Sequence, residues 1–292
     1  MIIIDEKYEI LNEKYRGRKP KFGLIKDNKK YIFKYGVVNY EIYAELIAEQ
    51  LGLQAGIEMA HYEYANYNGI LGVITDNFIK DDDLLLSSDT LKQYVIEIYK
   101  ENNIQCDLKD ESIENLYKSI LIYDSKIDEE NLIFELMKRW VFYGLILESD
   151  KNETNLAFLK NSNGIKLSPD FDNSSMCQLN KNIKSFVDGL RRGVDIFNYT
   201  DSVNNQFHLK SSTKDMNFLQ EFEVFADDYP AICNRILMSF NKIDVDLALT
   251  NVEAINDITI PYEVSFWVRK VIGTRLEDLN RIYTNVQNKK TL

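Results

Sequence analysis

The chain has 292 residues, 45% hydrophobic and 12% aromatic, enough to bury one large core or two joined lobes, and four prolines with twelve glycines leave little room for a low-complexity linker. A formal charge of −11 surrounds the molecule with a field that repels phosphate backbones, so no direct nucleic-acid partner is expected. Two histidines, His61 and His208, and three scattered cysteines, Cys106, Cys177 and Cys233, argue against a zinc site, a Ser-His-Asp hydrolase or a disulfide framework; no apolar run reaches membrane-spanning length, and a cytoplasmic protein is expected.

Residues 1 to about 80 are β-rich. The runs KFGLI, KKYIFKYG and GILGVITDNF alternate apolar and polar residues and are bounded by glycine or Asp/Asn, with a turn at Asp27-Asn28 between the first two. One helix interrupts them: NYEIYAELIAEQLGL places Ile42, Leu46, Ile47 and Leu51 at helical spacing, with Asn39 as N-cap and Gly52 as stop. From about residue 84 the pattern is helical. SSDTLKQYVIEIYKENN, ESIENLYKSILIYDS and DEENLIFELMKRWVFYGLILES read as helices, the last capped by Asp128 and ending near Asp150.

The texture then changes. NLAFLK and IKLSP are short strand-like runs joined by Asn161-Ser162-Asn163-Gly164, which predicts a β-hairpin that folds Asn155 back toward Asp172. Residues 215–292 return to helix, as in NFLQEFEVFADDY, PAICNRILMSF and YEVSFWVRKVIGTRLEDLNRIYTNV. The expected architecture is a bilobal α+β fold: a β-rich N-lobe with one helix over 1–82, and a larger, mostly helical C-lobe over 83–292, which carries the polar hairpin.

That order of elements suits phosphoryl transfer from a nucleotide, which needs a base for the attacking hydroxyl, oxygen ligands for magnesium and a lysine on the phosphates. Asp150 is the candidate base; Asn155 follows with four residues between, and Asp172 closes a magnesium site across the hairpin. Lys34 alternates with apolar neighbours in a strand suited to burial, where a lysine needs a partner, and the following helix offers Glu41 and Glu45. Taken singly, each feature has an ordinary explanation: a solvated turn, an edge lysine, a surface glutamate. Their joint occurrence in one order is what points to a nucleotide site.

These residues resemble the catalytic region of HipA-like serine/threonine kinases, in the short, stand-alone form without the preceding domain of on the order of 100 residues. Gly17-Arg18-Lys19-Pro20-Lys21-Phe22 resembles the family's glycine-led phosphate loop, Lys34 its strand lysine, Glu41 its helix glutamate, and Asp150 to Asn155 with LSPDFD its catalytic and metal motifs. The resemblance implies a protein kinase fold and ATP with Mg2+. Its cofactor-binding residues would be Gly17, Lys21, Lys34, Glu41, Asp76, Asn77 and Phe78, its catalytic base Asp150, and its metal ligands Asn155 and Asp172. Asp170 is the alternative metal ligand, since two positions apart on an extended strand both side chains share a face. The resemblance further implies a protein substrate with a serine or threonine acceptor and a toxin–antitoxin setting with a small antitoxin protein as partner. Asn152 stands where the family commonly has histidine, and Lys14-Tyr15 where some relatives carry a regulatory serine. A small-molecule or lipid kinase shares the same Asp-x4-Asn core and stays open, as does a nucleotide-binding pseudokinase, which Asn152 keeps in view.

Overall fold

A computed structural model describes residues 1–12, 15, 19–35, 40–80, 82–103, 112–124, 126–152, 155–201, 203, 207–212 and 216–291. The architecture is mixed α+β. By compactness the chain divides into two units: Met1–Lys80 with Pro169–Ile196 and Ile243–Gly273, and Asp81–Ser168 with Phe197–Lys242 and Thr274–Leu292.

The first unit is built on a six-stranded sheet of β1 (Ile2–Ile4), β2 (Glu9–Leu11), β3 (Lys21–Lys26), β4 (Lys29–Tyr35), β5 (Tyr62–Tyr67) and β6 (Ile70–Asp76), in the order β1-β5-β6-β4-β3-β2. Only β1 on β5 is parallel. The β3–β4 hairpin turns at Asp27 and Asn28, both with positive φ (49° and 62°), the backbone that a tight two-residue hairpin demands and that these two residue types tolerate. Alternation then sorts the strands. Leu24, Phe33, Ala65 and Ile74 fill one face with Ile4, ringed by Phe22, Tyr31, Tyr35 and Tyr67, and Phe22 meets Phe33 edge-on at 5.4 Å between centroids. Register places Lys21 opposite Lys34, Lys34 opposite Val73, and Val73 opposite Tyr64, so this row lies on the other face.

Helix α1 (Glu41–Gln54) packs on β5 and β6. Its predicted cap, Asn39, lies outside the described residues; the N-cap position is Tyr40, with no side-chain cap bond. Gly52 does not stop the helix, as the sequence suggests. It is buried inside the last turn, where a side chain would run into Met59, and the chain leaves the helix at Gly56, whose φ of 71° is left-handed.

In the second unit, α2 (Ser88–Glu101), α3 (Ile113–Tyr123) and α4 (Glu129–Leu145) lie where periodicity expects them, and Ser87, Ser112 and Asp128 cap their first turns. A three-stranded sheet, β7 (Leu84–Ser87), β8 (Ala157–Asn161) and β9 (Gly164–Leu167), contains the expected hairpin, with Asn161 paired to Gly164 at its tip and Ser168 N donating to Ala157 O (3.0 Å) at its base. The helices Phe218–Asp228 and Pro230–Phe240 complete the aromatic interior around Trp140, Phe142, Phe218, Phe225 and Phe240. Trp140 Nε1 donates to Phe207 O at 3.0 Å, which satisfies the indole in an otherwise apolar core. No described helix is long and apolar enough to cross a membrane.

Candidate active site

Helix α1 carries three acids one turn apart, Glu41, Glu45 and Glu49, all at most 5% exposed. A buried carboxylate is costly unless paired, and each of these has partners. Glu41 pairs with Lys19 (2.9 Å), a residue of the Gly17 to Phe22 motif. Glu45 takes Lys34 Nζ on Oε1 (2.5 Å) and the Asn173 backbone N–H on Oε2 (2.8 Å). Glu49 accepts the Tyr62 N–H at 2.9 Å and lies 2.7 Å from His61 Nδ1. The sequence resemblance names Glu41 as the strand lysine's partner; the partner observed is Glu45. Residues four apart share one helix face, so spacing admits both, and the side chain facing β4 is the second.

Lys34 is 7% exposed and ion-paired to Asp172 as well as Glu45. Burial alone would lower its pKa, but the two carboxylates more than offset this and hold the ammonium well above its ordinary value. Lys21, across the β3–β4 ladder, is pulled down by burial and by Lys34, with Asp172 pulling the other way. Two like charges facing each other across a ladder repel, so Asp172 and Glu45 are what make this cation pair tenable. Lys19 Nζ also donates to Ser174 Oγ at 2.6 Å, tying this lysine to the segment that follows Asp172.

Asp170 and Asp172 do not share a face of an extended strand as expected, because Asp172 is left-handed (φ 61°). Asp170 is 1% exposed and integrated into the fold: its N–H donates to Glu58 O (2.7 Å), its carbonyl accepts from Ala60 N (2.8 Å), and its carboxylate accepts from Asn173 Nδ2 (2.8 Å). The Asp172 side chain is 28% exposed and faces the lysine. Phe171 between them packs against Phe78, ring centroids 5.6 Å apart and tilted by 40°. Asp76 ends β6 at the surface, Asn77 N–H donates to Lys30 O (2.9 Å), and the chain leaves the strand through Asn77 and Phe78 beside this cluster. Gly17 lies outside the described residues.

In the second unit, α4 ends at Leu145, not near Asp150; Leu147 is left-handed (φ 52°), and Asp150 stands exposed in the loop that follows. The loop is braced from within. Glu148, 1% exposed, accepts the Asp150 N–H at 2.9 Å, Asn152 N–H donates to Asp150 O (3.1 Å), and Asn155 Nδ2 donates to the same carbonyl (2.8 Å). Lys151 is buried, its ammonium 5.0 Å over the Tyr143 ring, so the cation next in sequence to Asp150 is directed inward. Asn152 carries a backbone role here, its carbonyl accepting from Asn155 N (3.0 Å) and Leu156 N (3.2 Å).

Sequence reasoning did not find Tyr62 or Lys19. Tyr62 is one of eighteen tyrosines, in a run that reads only as strand, while Lys19 lies within the basic motif but carried no assigned partner.

No protein-family model and no curated protein matches the sequence. Solved structures do. The proinflammatory kinase CtkA of Helicobacter pylori superposes with a TM-score of 0.76 at 17% identity, covering 98% of both chains. HipA of the Shewanella oneidensis MR-1 toxin–antitoxin system, determined with HipB and its operator DNA, gives 0.61 at 14% identity over 96% of this chain and 67% of its own. The chain therefore has the bilobal, kinase-like fold of CtkA, with a β-sheet lobe and a helical lobe.

Proposed function

We propose that the protein is a HipA-like serine/threonine protein kinase that uses ATP and Mg2+. The observation that carries this reading is the buried Lys34 paired at once with Glu45 of α1 and with Asp172: a strand lysine, a helix glutamate and a metal-motif carboxylate are the parts phosphoryl transfer needs in one place. Magnesium keeps waters and takes phosphate oxygens, so it asks for only one or two protein ligands. Asp172 and Asn155 are those ligands in this reading, and bound magnesium would neutralise charge on the transferring phosphate.

ATP is the substrate. Lys34, which its carboxylates keep protonated, donates to the phosphates, and Lys21 adds a second cation beside it. Asp76, Asn77 and Phe78 line the nucleotide. Asp150, braced by Glu148 and exposed, orients the acceptor hydroxyl and takes its proton as that oxygen bonds to the γ-phosphorus and the bond to the ADP oxygen breaks. HipA is seen in complex with HipB, which supports a small antitoxin protein as partner here, in a toxin–antitoxin setting in the cytoplasm.

Incubation with γ-labelled ATP and magnesium, alone and with cell extract, tests the reading. Label should appear on serine or threonine of a protein and fall about 10²–10⁴-fold with Asp150→Asn. Label on lipid or a small molecule would replace the protein acceptor, and thermal stabilisation by ATP without any transfer would make the protein a nucleotide-binding pseudokinase.

A further inference from the structure

Asp172 holds a left-handed backbone (φ 61°), which aspartate tolerates better than most residues but which is still less favoured than extended or helical backbone. Two consecutive amides of this segment are caught by side chains from distant sequence: Asp172 N–H donates to Tyr62 Oη at 3.2 Å and Asn173 N–H to Glu45 Oε2 at 2.8 Å. Tyr62 is itself fixed. It is 6% exposed, starts β5 on the sheet face that carries Lys34, and has its own N–H bound by Glu49 Oε2 at 2.9 Å. The geometry points to Tyr62 as a positioning residue whose hydroxyl, by holding the Asp172 amide, aims the neighbouring carboxylate at Lys34 and at the metal.

This inference rests on the reading of Asp172 as a magnesium ligand and extends it to a residue that touches neither metal nor nucleotide. Removing the hydroxyl frees one amide while leaving the ring in place, so Asp172 should sample orientations that no longer serve the metal. Hydrogen-bonded supports of metal ligands commonly alter affinity by about 10–100-fold when lost.

The test is a magnesium titration of the thermal stabilisation given by ATP, on the parent chain, Tyr62→Phe and Tyr64→Phe, the last a buried tyrosine two positions along the same face. Tyr62→Phe should raise the magnesium concentration at half-effect by about tenfold, and Tyr64→Phe should leave it where it is in the parent. A lowered melting temperature with an unchanged magnesium midpoint would mean a structural role only and overturns the inference. A parent chain with no magnesium-dependent response to ATP removes the kinase reading and this inference with it, and is recognised because the failure is already in the parent. Should Tyr62→Phe not fold, amide exchange in the parent decides: the Asp172 amide should be protected, and exchange at the rate of an open loop contradicts the assignment.

Discussion

Lys34 shows how a residue that is unfavourable alone becomes a fixed part of a site. Breaking a buried pair leaves its partner charged and dry, so Lys34→Met should destabilise the fold by about 3 kcal/mol in denaturant unfolding. Lys34→Met with Glu45→Gln removes the stranded charge yet keeps an acceptor for the Asn173 amide, and should recover at least about 1 kcal/mol. Simple additivity of the two losses would show that the pair is not coupled. His61 gives a pH test. Its side chain is half exposed, and the hydrogen bond to Glu49 raises its pKa above 6.5, with Glu63 and Asp76 adding in the same sense against partial burial. A raised folded pKa means stability present below about pH 6.5 and lost as pH rises through the folded value. The melting-temperature gap between the parent and His61→Gln should therefore be wide at low pH and close in alkali; a gap independent of pH contradicts the ion pair. At this scale Lys34 was legible, because a lysine set among strand apolars needs an acid. Glu45 over Glu41 was not, since two acids one turn apart look alike until a strand is placed against one of them.

At the scale of elements, local chemistry was readable wherever one residue type satisfies one backbone demand. Asp27-Asn28 and Asn163-Gly164 turn their hairpins, and Asp128 caps α4 through the Asn131 N–H (3.1 Å). Helix ends were less readable. A glycine marks a stop only when the backbone there is left-handed, and Gly52 serves instead to let Met59 close on the helix. Gly56→Ala should accordingly cost about 1 kcal/mol through its φ of 71° although a Cβ there meets nothing within 4 Å, and Gly56→Asn less. A stabilising Gly56→Ala in denaturant unfolding would contradict that reading. The end of α4 is hidden in the sequence for a related reason: apolar periodicity continues through WVFYGLIL, but Leu147 takes a left-handed turn that no composition signals.

For the whole molecule, reading in chain order draws one cut after residue 82, whereas compactness returns 169–196 and 243–273 to the sheet unit. That return is what delivers Asp172 to Lys34, 138 positions apart, and it depends on contacts such as Asp170 N–H to Glu58 O (2.7 Å) that join two backbones without sequence-specific side chains. The bilobal architecture was legible because strand and helix periods separate cleanly along the chain; the closing of the site was not, because backbone pairing leaves no pattern. The central claim is that Asp172, held beside Lys34, serves magnesium-dependent phosphoryl transfer. ATP turnover by the parent chain and by Asp172→Asn, measured side by side across magnesium concentrations, addresses it most directly. The parent should turn over only with magnesium, and Asp172→Asn should be slower by about 10² or more at every concentration. Undiminished turnover in Asp172→Asn, or turnover by the parent without magnesium, would contradict the account.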